Sequence, residues 1–364
     1  MRAALVTPLS GPLAIYGQAS AAALQLWADR YAAAEPAELQ LVDAHPDASA
    51  AARRAQQLQP DLLFGPYGSG PAARAADATT RLLWNHGGAR LRPRRNVISV
   101  LAPAASYFTG TLEAVRSAQP DLRRVAVLHA DTGFARSVGE GAMRAADARG
   151  LDVERAVLPE PPPPADLLLV AGRFEDELSA ARALPRRRWP AVGLVAAGVR
   201  EVLADLDDLE GLLGPAQWLP QAAPVPDLGP TADEFTAAYQ ARTGEEPPYP
   251  AAQAFAAGLV AARCLAAAAS SRDEDVLQVA RNLDRTTLFG RFRTDASGAQ
   301  VGHEVLTVQW QDGARQVVWP PRSAQAPLRH PALDHPALDH TAQEHPGQDH
   351  REHRGQGSSP RDGR

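Results

Sequence analysis

Lysine is absent from this 364-residue chain, and all 37 of its basic residues are arginine. That excludes a Walker phosphate loop, which needs a lysine to reach the phosphates. The arginines are scattered among 42 acidic residues for a formal charge of −5. No concentrated positive face is available for a phosphate backbone, so nucleic acid is not an expected partner. Cysteine is nearly absent as well. Cys264 alone excludes an internal disulfide and any intrachain metal site built from two thiolates, and it leaves the redox compartment unread. The longest apolar run, Ala251 to Ala269, is mostly alanine and is interrupted by Gln253 and Arg263. It would insert poorly into a bilayer, so a buried helix is expected there and direct membrane insertion is not. The N-terminus lacks the apolar core and small-residue cleavage site of a secretory signal. As written, the chain reads as cytoplasmic, or as extracytoplasmic if its start is truncated.

What is present is ordinary globular material, 45% hydrophobic and 22% charged, enough for sizeable cores in two domains. Short apolar runs at Ala3–Thr7, Glu38–Asp43, Asp61–Gly65 and Leu82–Asn85 have the length of buried strands and are separated by helix-like stretches. Leu24, Trp27 and Tyr31 form one apolar stripe. Asp47 is placed to cap a helix over Ala48–Leu58, and Pro71 to occupy a first helical position. A second series, Arg123–His129, Leu151–Leu158, Ala165–Ala171 and Ala191–Val195, repeats the pattern with helices at about Arg136–Arg149 and Glu175–Leu184. Such alternation predicts an α/β fold of two Rossmann-like lobes with parallel sheets covered on both faces. Pro161–Pro164 reads as a stiff polyproline connector. Thr231 to Leu283 reads as helical, and Phe289 to Trp319 as strands with a turn at Asp295–Gly298. Beyond Pro321 histidines recur every five residues from His330 to His350, with His353 added, in a low-complexity tail too polar to pack. Five-residue spacing and interspersed prolines keep these rings off one helix face. At best the tail is a flexible, pH-dependent metal chelator.

Loops that follow strands in an open parallel sheet lie at its carboxyl edge, where ligands bind. Three are distinctive here: Pro8–Pro12 with Tyr16 and Gly17, then Gly65-Pro66-Tyr67-Gly68-Ser69-Gly70-Pro71, then Asn85-His86-Gly87-Gly88-Ala89. Glycines let a ligand approach backbone, and a new helix offers unpaired N–H donors. Together these loops describe a cradle for a small carboxylate or similar polar group. The same residues can also serve simply as turns. Gly65, Gly68 and Gly70 are spaced GxxGxG, which is not the dinucleotide fingerprint, and no cofactor is expected.

PLSGPLAIYG near the start, LVDAHPDASAAARRAQQL, LLFGPYGSGPA and the closing FGRFRTDASGAQVGHEVLTVQW together resemble the leucine/isoleucine/valine-binding type of type I periplasmic binding proteins, from about Arg2 to Pro320. The resemblance implies two lobes joined by three crossovers, with a ligand closed between them and handed to the permease of an ABC importer. It implies lobes of residues 1–102 with 231–286 and 103–230 with 287–321, and the low-complexity composition makes 322–364 a disordered tail. Tyr16 matches the family's pocket tyrosine, Ser69 its carboxylate-binding serine, and Gly87 and Ala89 the backbone-and-threonine site, although Ala89 has no hydroxyl. Phe134 matches a second-lobe aromatic. Tyr67 and Asn85 are further lining candidates, and Arg173 either faces an anionic group of the ligand or is an exposed helix-start arginine.

The family's second aromatic falls near Arg173 and Phe174, and its acid for an α-amino group near Ala196 or Ala197, with no acid until Glu201. A buried ammonium without a carboxylate is costly. The expected ligand is therefore an amide, a carboxylate or an aromatic acid and not a plain α-amino acid. A cytoplasmic amide or amino-acid sensor of the same fold is the alternative. An enzyme is not expected. His129 and Asp131 suggest a proton-transfer pair without a nucleophile, His86 is either a ligand donor or a turn histidine, and Cys264 reads as core.

Overall fold

In the computed structural model, residues 1–32, 36–185, 188–199, 203, 206 and 208–329 are described. The histidine repeats and Glu201 lie outside them. The first sheet is entirely parallel, in the order β2 (Glu38–Asp43), β1 (Arg2–Thr7), β3 (Leu62–Phe64), β4 (Leu83–Asn85), β5 (Val97–Ser99). The second runs β14 (Ala314–Trp319), β13 (Leu306–Gln311), β10 (Leu213–Ala216), β9 (Ala191–Leu194), β8 (Leu167–Ala171), β6 (Arg124–His129), β7 (Asp152–Val157). Its β7 to β10 ladders are parallel, and β13 and β14 add antiparallel pairs. The chain passes between the two layers three times, after β5, after β10 and after α9 (Asp273–Asn282). Residues 322–329, which the sequence assigns to the tail, pack on the second sheet: Gln325 N donates to the Val317 carbonyl at 2.7 Å and Arg329 N to Gln309 Oε1 at 2.8 Å.

Local chemistry explains the helices. The Asp47 carboxylate accepts from the amides of Ser49 and Ala50 and starts α2 (Ala48–Gln57) as expected. Thr132 caps α5 (Gly133–Asp147) through Ala135 N, so that helix opens three residues earlier than its apolar spacing suggests. Thr231 and Glu234 form a reciprocal capping box at α7 (Ala232–Thr243). Helix α3 (Ser69–Ala78) begins at Ser69, which makes Pro71 its third residue and not its first. It is tolerated because first-turn amides lack an intrahelical acceptor. Strands β5 and β10 and helix α4 (Thr109–Ala118) are not apparent from apolar runs, being short or broken by Gly and Pro.

The apolar helix α8 (Tyr249–Ala267) is long enough to cross a membrane but is 72% buried inside the protein. It lies along α1 (Ala14–Arg30), where Gly258 accommodates the Trp27 indole and Phe255 meets Tyr31 edge-on at 5.2 Å. Trp27 also contacts Phe64 of β3, so the α1 stripe serves both the sheet and a neighbouring helix. Cys264 is fully buried on α8, and burial pushes its thiol up to about 12, as fits a core residue. Pro161–Pro164 leads into β8, and its Pro163 carbonyl accepts from the Trp189 indole. The turn at Asp295–Gly298 forms as expected, with the Asp295 carboxylate accepting from the amides of Ser297 and Ala299.

Candidate functional site

The carboxyl ends of both sheets face one cavity of about 930 Å³, within the range of small-molecule sites. Four of the six tyrosines, Tyr16, Tyr67, Tyr107 and Tyr249, line it together with Phe134, Phe174 and Trp218. Tyr16 and Tyr67 stack at 4.8 Å and 25°. Tyr16 also meets Phe174 of the opposite lobe at 6.0 Å. The Tyr67 and Tyr249 hydroxyls are hydrogen-bonded to one another. Tyr107 and Phe134 form an edge-to-face pair at 5.8 Å. These rings make a flat-walled apolar slot, and their rigidity keeps the entropic cost of contact low.

The polar end is cationic. Ser69 opens α3, and its Oγ accepts from Arg90 N at 3.1 Å, which leaves the hydroxyl proton free to donate. The Arg90 guanidinium crosses from the loop after β4 to the first residue of α5, where a Cβ on Gly133 would lie 2.5 Å from Nη1. Neither α3 nor α5 has an acid in its first turn, whereas α6 (Phe174–Ala183) has Glu175, Asp176 and Glu177. Two positive helix ends and the exposed Arg90 guanidinium, with no carboxylate pairing it among the described residues, make this end of the cavity favourable to an anion.

A model of the periplasmic binding protein family matches the chain over residues 1–177 and again over 165–315. The chain belongs to the periplasmic binding protein family. Its fold is shared with the leucine-binding protein LivK of Thermotoga maritima, at TM-score 0.69 and 18% identity over 87% of this chain and 97% of that one. It is shared with LivJ of Streptococcus pneumoniae in complex with isoleucine, at 0.66 and 17% over 88% and 99%. It is likewise shared with an ABC-transporter solute-binding protein of R. palustris in complex with benzoate, at 0.65 and 14% over 87% and 95%.

In this periplasmic binding protein the structure brings Tyr16, Tyr67, Ser69, Gly87, Ala89, Phe134 and Arg173 to the one cavity. Asn85 is the exception. It is fully buried, its Oδ1 accepts from Gly88 N, and its Nδ2 donates to the Gly88 carbonyl and Ser99 Oγ. The role the sequence suggests for it is corrected accordingly: Asn85 shapes the loop that presents Gly87 and Ala89. Gly87 has no room for a side chain, because a Cβ there would sit 2.5 Å from the Tyr67 Cα. His86 is likewise buried beneath the wall, and burial lowers its pKa to about 4. His129 Nδ1 donates to the Ala130 carbonyl while Asp131 pairs with Arg136, so the two do not form a proton-transfer couple.

Ala196 and Ala197, near which the family's acid would fall, are fully buried and are not among the residues lining the cavity. A carboxylate that sequence reasoning does not single out, Glu177, lies behind the wall and accepts from Gly172 N at 2.7 Å and Ala196 N at 2.6 Å. It is fully buried and outside the cavity lining; the lining acids are Glu175 and Glu246, both exposed. At the head of α6 it reads in sequence as an ordinary first-turn acid. Desolvation raises its pKa from 4.5 to about 8, opposed by the two amides. The folded state thus holds this proton more tightly than the unfolded chain. Stability is therefore expected to fall as pH rises from about 4.5 to about 8, by on the order of several kcal/mol. Urea denaturation across that range should show the slope in the wild type and its loss in Glu177→Gln, while an unchanged slope in the variant would assign it to another group.

Tyr249, Phe174, Trp218, Gln217 and Gln253 also line the cavity and carry no local motif. Phe174 alone is signalled, by the family resemblance near Arg173.

Proposed function

We propose that this periplasmic binding protein captures a small carboxylate with an aromatic or branched apolar body, without transforming it, and delivers it to an ABC importer. The observation that carries the reading is Arg90, held against the head of α5 and opposite Ser69 at the head of α3, with no acid among the described residues to neutralise it. A carboxylate between them would take the Ser69 hydroxyl proton and first-turn amides, while the Tyr16, Tyr67 and Phe174 rings enclose its body. Three arginines, two of them exposed, line the cavity with two exposed acids, and no buried acid of the lining would pair a buried ammonium. The similar proteins that bind leucine, isoleucine and benzoate are consistent with both the carboxylate and the apolar body. The lobes would divide at 102/103, 230/231 and 286/287, and closure about these crossovers would expel water and strengthen the polar contacts.

Isothermal titration with phenylacetate and benzoate, set against leucine, isoleucine and valine, tests this. Micromolar binding is expected for an aromatic acid, weakened about tenfold by Ser69→Ala through loss of one charge-assisted hydrogen bond. Micromolar binding of any of the three amino acids would overturn the exclusion of an α-ammonium group.

A further inference from the structure

One side of the cavity is built differently from the rest. Gln217 follows β10 directly, is 7% exposed and lines the cavity. Gln253, on the first turns of α8, is 1% exposed and lines it too. The Gln217 Nε2 and Oε1 and the Gln253 Oε1 are buried without a hydrogen-bond partner of good geometry in the protein, and so is Oγ1 of the neighbouring cavity residue Thr236. The Tyr107 hydroxyl comes near the Gln217 amide, close enough for a weak polar interaction that leaves the rest of the amide unmet. Buried amides are normally satisfied, and leaving one unmet costs its full desolvation. Leucine or methionine would fill the same space at no such cost, so the amides are retained against stability.

Their positions are fixed. The imidazole of His303, kept neutral by burial that lowers its pKa to about 4, donates from Nε2 to the Gln217 carbonyl at 3.0 Å. That ring stacks on Phe289 at 4.2 Å and 5°. Gln253 lies one helical turn beyond Tyr249, on the same face of α8. Tyr249 is tied through its hydroxyl to Tyr67, two residues before Ser69. From Ser69 the path therefore runs through Tyr67 and Tyr249 to Gln253, and Tyr107, close enough to Tyr249 to interact with it electrostatically, brings in Gln217. The acid that lines the cavity near this end, Glu246, is exposed, so no buried acid of the lining would hold a cation here.

We propose that Gln217 and Gln253 form a second polar subsite for a neutral donor–acceptor group, of which a carboxamide is the simplest, carried by the ligand at the end remote from its carboxylate. This rests on the reading of the cavity as a site for a small anion, and it narrows the ligand to a bifunctional one. A glutamine amide offers both a donor and an acceptor and so can pair with a carboxamide in both directions. An apolar isostere would leave both glutamines unmet, which is the arrangement that discriminates most strongly.

The test uses the whole chain and four probes: phenylacetate, 4-carbamoylphenylacetate, its apolar isostere 4-isopropylphenylacetate, and neutral phenylacetamide. The carbamoyl probe is expected to bind at least about tenfold more tightly than the isopropyl one, and Gln217→Leu with Gln253→Leu should bring that ratio to within about twofold of unity. A wild-type ratio near unity, or one unchanged in the double variant, overturns the subsite. Binding of phenylacetamide with no binding of phenylacetate would overturn the anionic reading and leave the subsite standing. The melting temperature of the ligand-free double variant gives an independent readout. It should rise, because unmet amides are replaced by apolar groups; a fall would show that the glutamines serve the fold and would overturn the proposal.

Discussion

Tyr16→Ala is expected to weaken binding of an aromatic carboxylate such as phenylacetate by about 100-fold, on the order of 3 kcal/mol. Tyr16 is the ring that joins the two walls, stacked on Tyr67 at 4.8 Å within its own lobe and meeting Phe174 of the other at 6.0 Å. Without it a flat ligand loses a face-to-face partner, Tyr67 loses the ring that fixes its orientation, and water enters beside the polar contacts at Ser69. Tyr16→Phe keeps the ring face and should stay within about threefold of wild type. Titration calorimetry on the two variants decides the matter. An alanine variant that binds as tightly as the wild type would place the ligand away from this wall.

The neighbouring residue yields the largest expected effect on stability. Gly17→Val should lower it by more than about 3 kcal/mol in urea denaturation, because a Cβ at Gly17 would lie 1.8 Å from the Pro8 carbonyl oxygen and 2.7 Å from its carbon. Neither atom can rotate away, since Pro8 continues β1 into the first cleft loop. The helix would have to lift off that loop, displacing Tyr16 with it, so ligand affinity should fall together with stability. Gly150→Ala is the informative comparison. Gly150 has φ +69°, and no atom lies within 4 Å of the place a Cβ would take, so only the left-handed backbone preference is lost, about 1 kcal/mol. Equal losses in the two variants would show that the close approach of α1 to Pro8 contributes nothing.

Tyr16 and Gly17 both fall in the PLSGPLAIYG segment, and the contrast between them bears on what can be read without coordinates. Periodicity is sufficient to recognise alternating strands and helices, because burial on both faces of a parallel sheet leaves dense apolar runs. Asp47, with a hydroxyl and small residues after it, announces its helix by local chemistry alone. Short strands such as β5 and β10 escape, since three or four residues give no usable period and Gly214-Pro215 argues against a strand out of context. Ser69, Tyr16 and Phe134 are legible through loop position and family resemblance. Asn85 is legible only as polar: whether an amide in a loop faces a ligand or its own backbone depends on which partners the fold supplies.

By itself the sequence determined the α/β character of the chain, the glycine-bordered loops at the strand ends, and the absence of an acid at Ala196 and Ala197, because propensity, pattern and residue identity are local properties. Tertiary structure alone decided that Arg90 reaches the head of α5, that Glu177 is sealed behind the wall, and that Gln217 and Gln253 reach the cavity with buried amide atoms lacking a well-placed partner. Those facts concern distances between segments far apart in the chain, and a charge or an amide acquires its energetic meaning only from the partners and the solvent it meets there.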